Sequence, residues 1–191
     1  LGSEVININS LKLTGNSTIT VVPEKILYLK IPDITIDAGS IISAEEKGYV
    51  VGPGAPDVAN SAGSSHGGKG GGADAKPIYG SLLAPVDFGS GNGSGRGGGA
   101  IRLIAQNNLI NNGFISVNAT KERVSGGSIY VTANSISGNG SFQAKGGSIG
   151  WPNGPTGGGA GGRIAINYQS SSFSGTIDVL GGVYCFYGCA P

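Results

Sequence analysis

The sequence predicts an all-β chain, a short right-handed parallel β-helix of about five coils with glycine-rich insertions at one corner. Three observations predict it. An aliphatic V-x-I-x phrase occurs five times, each time followed by a second apolar stretch, a glycine and a third strand. Apolar residues alternate at period two, as in half-buried strands, and no helical period is present. The glycines chosen to mark the repeat, Gly15, Gly39, Gly113, Gly138 and Gly175, are spaced by about one unit or by one unit plus an insertion. A repeat in this range denotes stacked supersecondary units, and three short strands per unit denote a β-solenoid coil.

Each coil follows from its side chains. The first two alternate as Val5/Leu11/Leu13/Ile19/Val21 and Leu27/Leu29/Ile31/Ile34/Ile36/Ile41. Later coils continue the row as Ile101/Leu103, Ile129/Val131 and Ile164/Ile166, with a second ladder through Phe114 or Ile115, Phe142 and Ile177. Stacking turns these rows into aliphatic ladders and lets each strand's backbone groups bond the coil above or below. Five coils at about 4.8 Å give a rod of about 24 Å.

The chain reads as a single domain, 1–191, with every insertion after a third strand. The first, 48–99, carries 17 glycines in 52 residues. A second glycine-rich insertion spans 145–162. The runs that touch strands, as in Gly99-Ala-Ile101, Gly127-Ser-Ile129 and Gly162-Arg-Ile164, keep one register, so ordered extended backbone akin to a polyproline-II bundle is expected there. The middle of the first insertion, 60–75, is expected to be mobile.

Composition narrows the function. Twelve basic residues against eleven acidic ones, net +1, leave no concentrated basic face for nucleic acid. No apolar run reaches the roughly 18 residues of a membrane span. Methionine is absent, which suggests a mature or excised segment, and no signal peptide is apparent. The two cysteines, Cys185 and Cys189, are too few for a structural zinc site. They suggest a disulfide, with each other or across a subunit contact, in an extracellular or cell-surface protein; two unpaired thiols are the alternative.

Residues 157–166, Gly-Gly-Gly-Ala-Gly-Gly-Arg-Ile-Ala-Ile, are followed by Phe173-Ser-Gly-Thr-Ile177 and Gly181-Gly182. This resembles the GGGAGGRI-type repeat of large glycine-rich extracellular parallel β-helix proteins. Weaker copies begin at Gly97 and Ser125, so the resemblance covers about 97–182. It implies a secreted, cell-surface or filamentous protein and no catalytic residues.

No catalytic, cofactor or metal constellation is expected. A polysaccharide-cleaving β-helix needs carboxylates on one face. Asp33 and Asp37 form a possible pair but do not join a row, and read as solvated strand-edge charges. His66, beside Ser64 and Ser65, lacks a neighbouring acid. Four sequons, at Asn16, Asn92, Asn118 and Asn139, are N-glycosylation candidates or ordinary turn asparagines. Trp151, Tyr184, Phe186 and Tyr187 lie at the insertion corner, to stack on sugar rings, bury a seam or pack on a neighbouring subunit. Two functions follow. The first is a structural subunit of an extracellular filament, surface coat or adhesin, self-assembling through coil ends and corner loops. The second is a polysaccharide-binding or polysaccharide-cleaving module. Uncapped solenoid ends, which are sheet edges, favour the first.

Overall fold

A computed structural model describes residues 8–58, 62–150 and 157–185, the last two by backbone alone. No helix occurs among them. Five strands, β1 (Ser10–Leu13), β3 (Ile26–Ile36), β5 (Ala100–Asn111), β7 (Ser128–Gly138) and β10 (Arg163–Phe173), form one parallel sheet in that order. Five short ones, β2 (Thr18–Thr20), β4 (Ile41–Ser43), β6 (Phe114–Ser116), β8 (Ser141–Gln143) and β11 (Thr176–Asp178), form a second parallel sheet in the same order. A two-stranded sheet pairs β9 (Ile149–Gly150) with β12 (Tyr184–Cys185). Each long strand is thus followed by a short one, and the two sheets advance together, an arrangement compatible with a parallel β-helix.

The ladders stand in register. Leu27, Ile101, Ile129 and Ile164 are successive partners, as are Leu29, Leu103, Val131 and Ile166. The second sheet aligns Ile19, Ile42, Ile115, Phe142 and Ile177. Of the two candidates on β6, Ile115 points into the core and Phe114 is exposed. The rows between the sheets form one apolar core, in which Ile101, Leu103, Ile129, Val131, Ile42 and Phe142 are buried. Ile164 and Ile166 pack against that core but are only partly buried.

Three expectations change. Where the sequence suggests three short strands per unit, the first two are one continuous strand. Register shifts between Ile31 and Asp33, and between Ala105 and Asn108, mark irregularities where the strand can bend without a break in the sheet. The stacked glycines are Gly113, Gly140 and Gly175, not Gly138, and the aligned positions in the first two units are Ser17 and Ser40, not Gly15 and Gly39. The three glycines precede the paired residues Phe114, Ser141 and Thr176, and a Cβ at Gly140 would stand 2.2 Å from the Gly113 carbonyl oxygen. Of the segment expected to be mobile, residues 62–66 are packed, with Ala62, Ser64, Ser65 and His66 fully buried, whereas Lys69 and residues 72–74 are exposed. Glycine here permits close approach, since a Cβ at Gly63 or Gly67 would lie 1.9 or 2.0 Å from the carbonyl oxygen of Gly158 or Gly162.

The glycine-rich segments join β4 to β5, β6 to β7 and β8 to β10. Ser125 donates its N–H to Ser90 at 3.0 Å, Gly126 to Ala160 at 3.0 Å and Gly127 to Val117 at 2.9 Å. Gly97, Gly98 and Gly99 likewise donate to Tyr49, Ser125 and Ala44. Three successive residues bonding three different segments is the pattern of chains with three residues per turn packed side by side, as polyproline-II chains are. A β-strand sends its N–H groups only two ways. These six backbone donors are satisfied while side chains would obstruct the packing, which accounts for the density of glycine.

Candidate assembly surface and buried polar cluster

The long strands end at β10, and among the described residues β10 pairs only with β7 and β11 only with β8. The ladder positions that are closed further in become open here. Ile177 is 57% exposed, whereas its counterparts Ile115 and Phe142 are fully buried. With Ile136, Ile164, Ile166, Tyr168, Ser171 and Phe173 it lines an open groove of about 330 Å³. Val179, Leu180 and Val183 continue the exposed apolar surface beyond it. Gln169 to Ser172 are polar, between Tyr168 and Phe173 of the groove.

A second feature lies where the first insertion folds over the start of the long-stranded sheet. Ser128 donates its hydroxyl to the Asp87 carbonyl at 2.6 Å, and Arg163 Nη2 donates to the Tyr79 carbonyl at 2.7 Å. Beneath this cover, His66 Nδ1 lies 2.7 Å from the Gly126 carbonyl oxygen. A carbonyl accepts, so Nδ1 carries the proton and Nε2 is unprotonated in the neutral ring. The imidazole packs on Tyr79 with centroids 4.8 Å apart. Burial lowers the His66 pKa to about 4; the Gly126 bond and Asp87 oppose this, and the Arg163 charge adds to it. Burial also raises the Tyr79 phenol, whose hydroxyl donates to Phe88 O at 2.6 Å and meets Ser90 Oγ at 2.8 Å. The serines beside His66 are committed to backbone: Ser64 Oγ donates to Gly91 O and Ser65 Oγ to Lys76 O.

The remaining residues singled out in the sequence fall as follows. Asp33 accepts from Asn108 at 2.7 Å and Asn107 at 3.3 Å, and these bonds hold its carboxyl below the ordinary value. Asp37 instead pairs with Lys12 at 3.6 Å, so the two acids have separate partners. Tyr184 is placed by backbone alone, opposite Ile149, and Cys185 opposite Gly150. Trp151, Phe186, Tyr187 and Cys189, and with Cys189 the disulfide expectation, lie outside the described residues.

The four sequons divide into two kinds. Asn16 and Asn139 are exposed, in the turns between a long strand and the following short one. Asn16 holds a left-handed backbone, φ 60°, which asparagine tolerates. Asn92 is 7% exposed and donates to Glu122 O. Asn118 is 9% exposed; its amide nitrogen donates to Glu45 and Gln143, and its oxygen accepts from Lys145 N. A glycan on either buried nitrogen would replace one of its hydrogens and would need space that these partners occupy. Expressed through a eukaryotic secretory pathway, the folded chain is expected to carry glycan only at Asn16 and Asn139. Site-resolved mass spectrometry checks this, and occupied Asn118 in folded protein would contradict it.

Compared with protein-family models, curated proteins and solved structures, the chain finds no match in any of the three.

Proposed function

We propose that the two sheets are walls of a right-handed parallel β-helix of about five coils, and that the chain is a structural subunit of an extracellular filament, surface coat or adhesin. Copies join end to end through the open strand edges, and the glycine-rich corner sets their lateral contacts. The observation that carries this reading is the β10–β11 end. Side chains that complete the core further in stand half-open there, beside an eleven-residue edge. Apolar surface next to free backbone donors and acceptors is a template for another strand. The occupant is the β1–β2 end of a second copy, which continues both sheets in parallel. A head-to-tail contact of this kind does not close on itself unless a rotation brings it round, so its natural product is an open array. The polysaccharide-cleaving alternative finds no support in the separate pairing of Asp33 and Asp37.

Sedimentation velocity over a hundredfold range of concentration is expected to show growing species. Ile177→Lys should abolish them with little change in melting temperature, because the side chain is exposed in the single copy. A wild-type chain that stays monomeric throughout would overturn the reading, as would growth undiminished by Ile177→Lys.

A further inference from the structure

The outer face of the long-stranded sheet carries an arrangement that the assembly reading does not use. Tyr28, Arg102 and Tyr130 are direct partners on three adjacent strands, in a stretch without register shift. Their side chains stand on the face opposite the core, alternating with buried Leu27/Leu29, Ile101/Leu103 and Ile129/Val131. The Arg102 guanidinium carbon lies 4.8 Å from the Tyr28 ring centroid and 5.5 Å from that of Tyr130. Two rings therefore hold one cation between them. Arg102 has no carboxylate within salt-bridge distance among the described residues, and its Nε is buried without a hydrogen-bond partner.

The surroundings favour an anion. The next outward row is Lys30, Ile104, Thr132 and Asn167. Further along, Gln106, Asn134 and Gln169 are exposed. Asp33 is the one acid on the five long strands, and it is already held by Asn107 and Asn108. Asp87, in the cover at the strand starts, directs its carboxylate towards Gly80. Beside Tyr130 the outer strand offers only Ala165, so the row is open on that side.

We infer that this face binds an anionic polysaccharide, with Arg102 as the anchor for its carboxylate or sulfate groups. A guanidinium fixed by two rings is oriented before binding, and its planar fork matches either oxyanion with two parallel hydrogen bonds. Lys30 supplies a second positive charge one row on. The amide and hydroxyl side chains supply donors and acceptors for sugar hydroxyls. An open face suits an extended polymer better than a small anion, because charged groups along one chain meet Arg102 and Lys30 together.

Titration calorimetry with polygalacturonate, dextran sulfate, uncharged dextran and duplex DNA tests the inference. The two anionic polysaccharides separate carboxylate from sulfate as the preferred group. Binding is expected for at least one of them and not for dextran, and should weaken as salt screens the charges. Arg102→Ala should reduce affinity about tenfold or more, the scale of a charge-assisted bidentate contact. Arg102→Lys should recover part of the loss. Lys30→Ala, an exposed change outside the core, should lose severalfold, and Lys69→Ala, in the insertion, should lose nothing. If Arg102→Ala melts early, Lys30→Ala against Lys69→Ala decides. No heat with either anionic polysaccharide, dextran binding as strongly, DNA binding more tightly, or affinity unchanged in Lys30→Ala would each overturn it. None of these results depends on whether copies assemble.

Discussion

Gly98→Ala is expected to destabilise the chain by about 3 kcal/mol or more, the upper range for forcing extra atoms into a packed interior. The added Cβ would stand 1.9 Å from the Val117 carbonyl oxygen and 2.3 Å from the Gly127 nitrogen. Both are backbone atoms, so neither can rotate away. Gly98 also donates to Ser125 at 2.9 Å and accepts from Gly89 at 2.8 Å, and moving it to relieve the overlap would break both bonds. Its backbone is not left-handed, so the effect is one of space rather than conformation. For a chain of this size the melting temperature should fall by roughly 10 °C. Gly68→Ala is the control. Its nearest neighbour would be the Ala160 methyl at 3.8 Å, an ordinary contact, and its φ is not positive. That change should be neutral, or stabilising by about 0.4–1 kcal/mol through the unfolded chain's lost freedom. Equal melting temperatures for the two variants would contradict the packed glycine bundle and favour a loose linker.

The second large effect is expected in acid. His66 is fully buried, and its pKa is lowered to about 4 from an ordinary 6.5. The unfolded chain therefore takes up a proton as pH falls through 6.5, while the folded chain does not until about 4. Stability is complete above 6.5 and is lost progressively between those values, by about 3 kcal/mol in all. The groups facing the ring explain the direction. Gly126 accepts from Nδ1, Tyr79 stacks on the ring, Arg163 repels an added positive charge and Asp87 only partly offsets it. His66→Asn retains an amide donor near Nδ1 and cannot titrate. Its stability, from denaturant midpoints at pH 7, 5.5 and 4, should fall less than that of wild type. An equal fall in both would show that the carboxylates alone set the acid response. The cover formed by 79–88 is the part expected to open first, because it closes over this cluster.

Several of these features were legible in the residues and several were not. Alternation is a local property: Leu27/Leu29, Ile101/Leu103 and Ile129/Val131 declare an inward face from period two alone, and five such rows with glycine spacing imply parallel stacking. The four later ladders stand in the expected register, whereas Val5 of the first lies outside the described residues. Register between strands is less local. Gly138 looked like the repeat's glycine, yet pairing of Phe114, Ser141 and Thr176 places Gly140 in the stack, because the partners' hydrogen bonds, not the spacing, fix alignment. Tyr28, Arg102 and Tyr130 lie 74 and 28 residues apart, and no sequence window contains them together.

The sequence by itself determined that this chain is built of parallel-stacked apolar rows separated by glycine-rich segments, because side-chain period and glycine position are written residue by residue. Tertiary structure alone decided which glycines are indispensable, which asparagines are open, and that Ser64–Ser65–His66 is interior rather than loop. The physical reason is the same in each case. A glycine, a sequon or a histidine takes its role from the atoms opposite it, and here those atoms come from segments that are distant in the chain. Gly63 faces Gly158, Asn118 bonds Glu45, and His66 bonds Gly126.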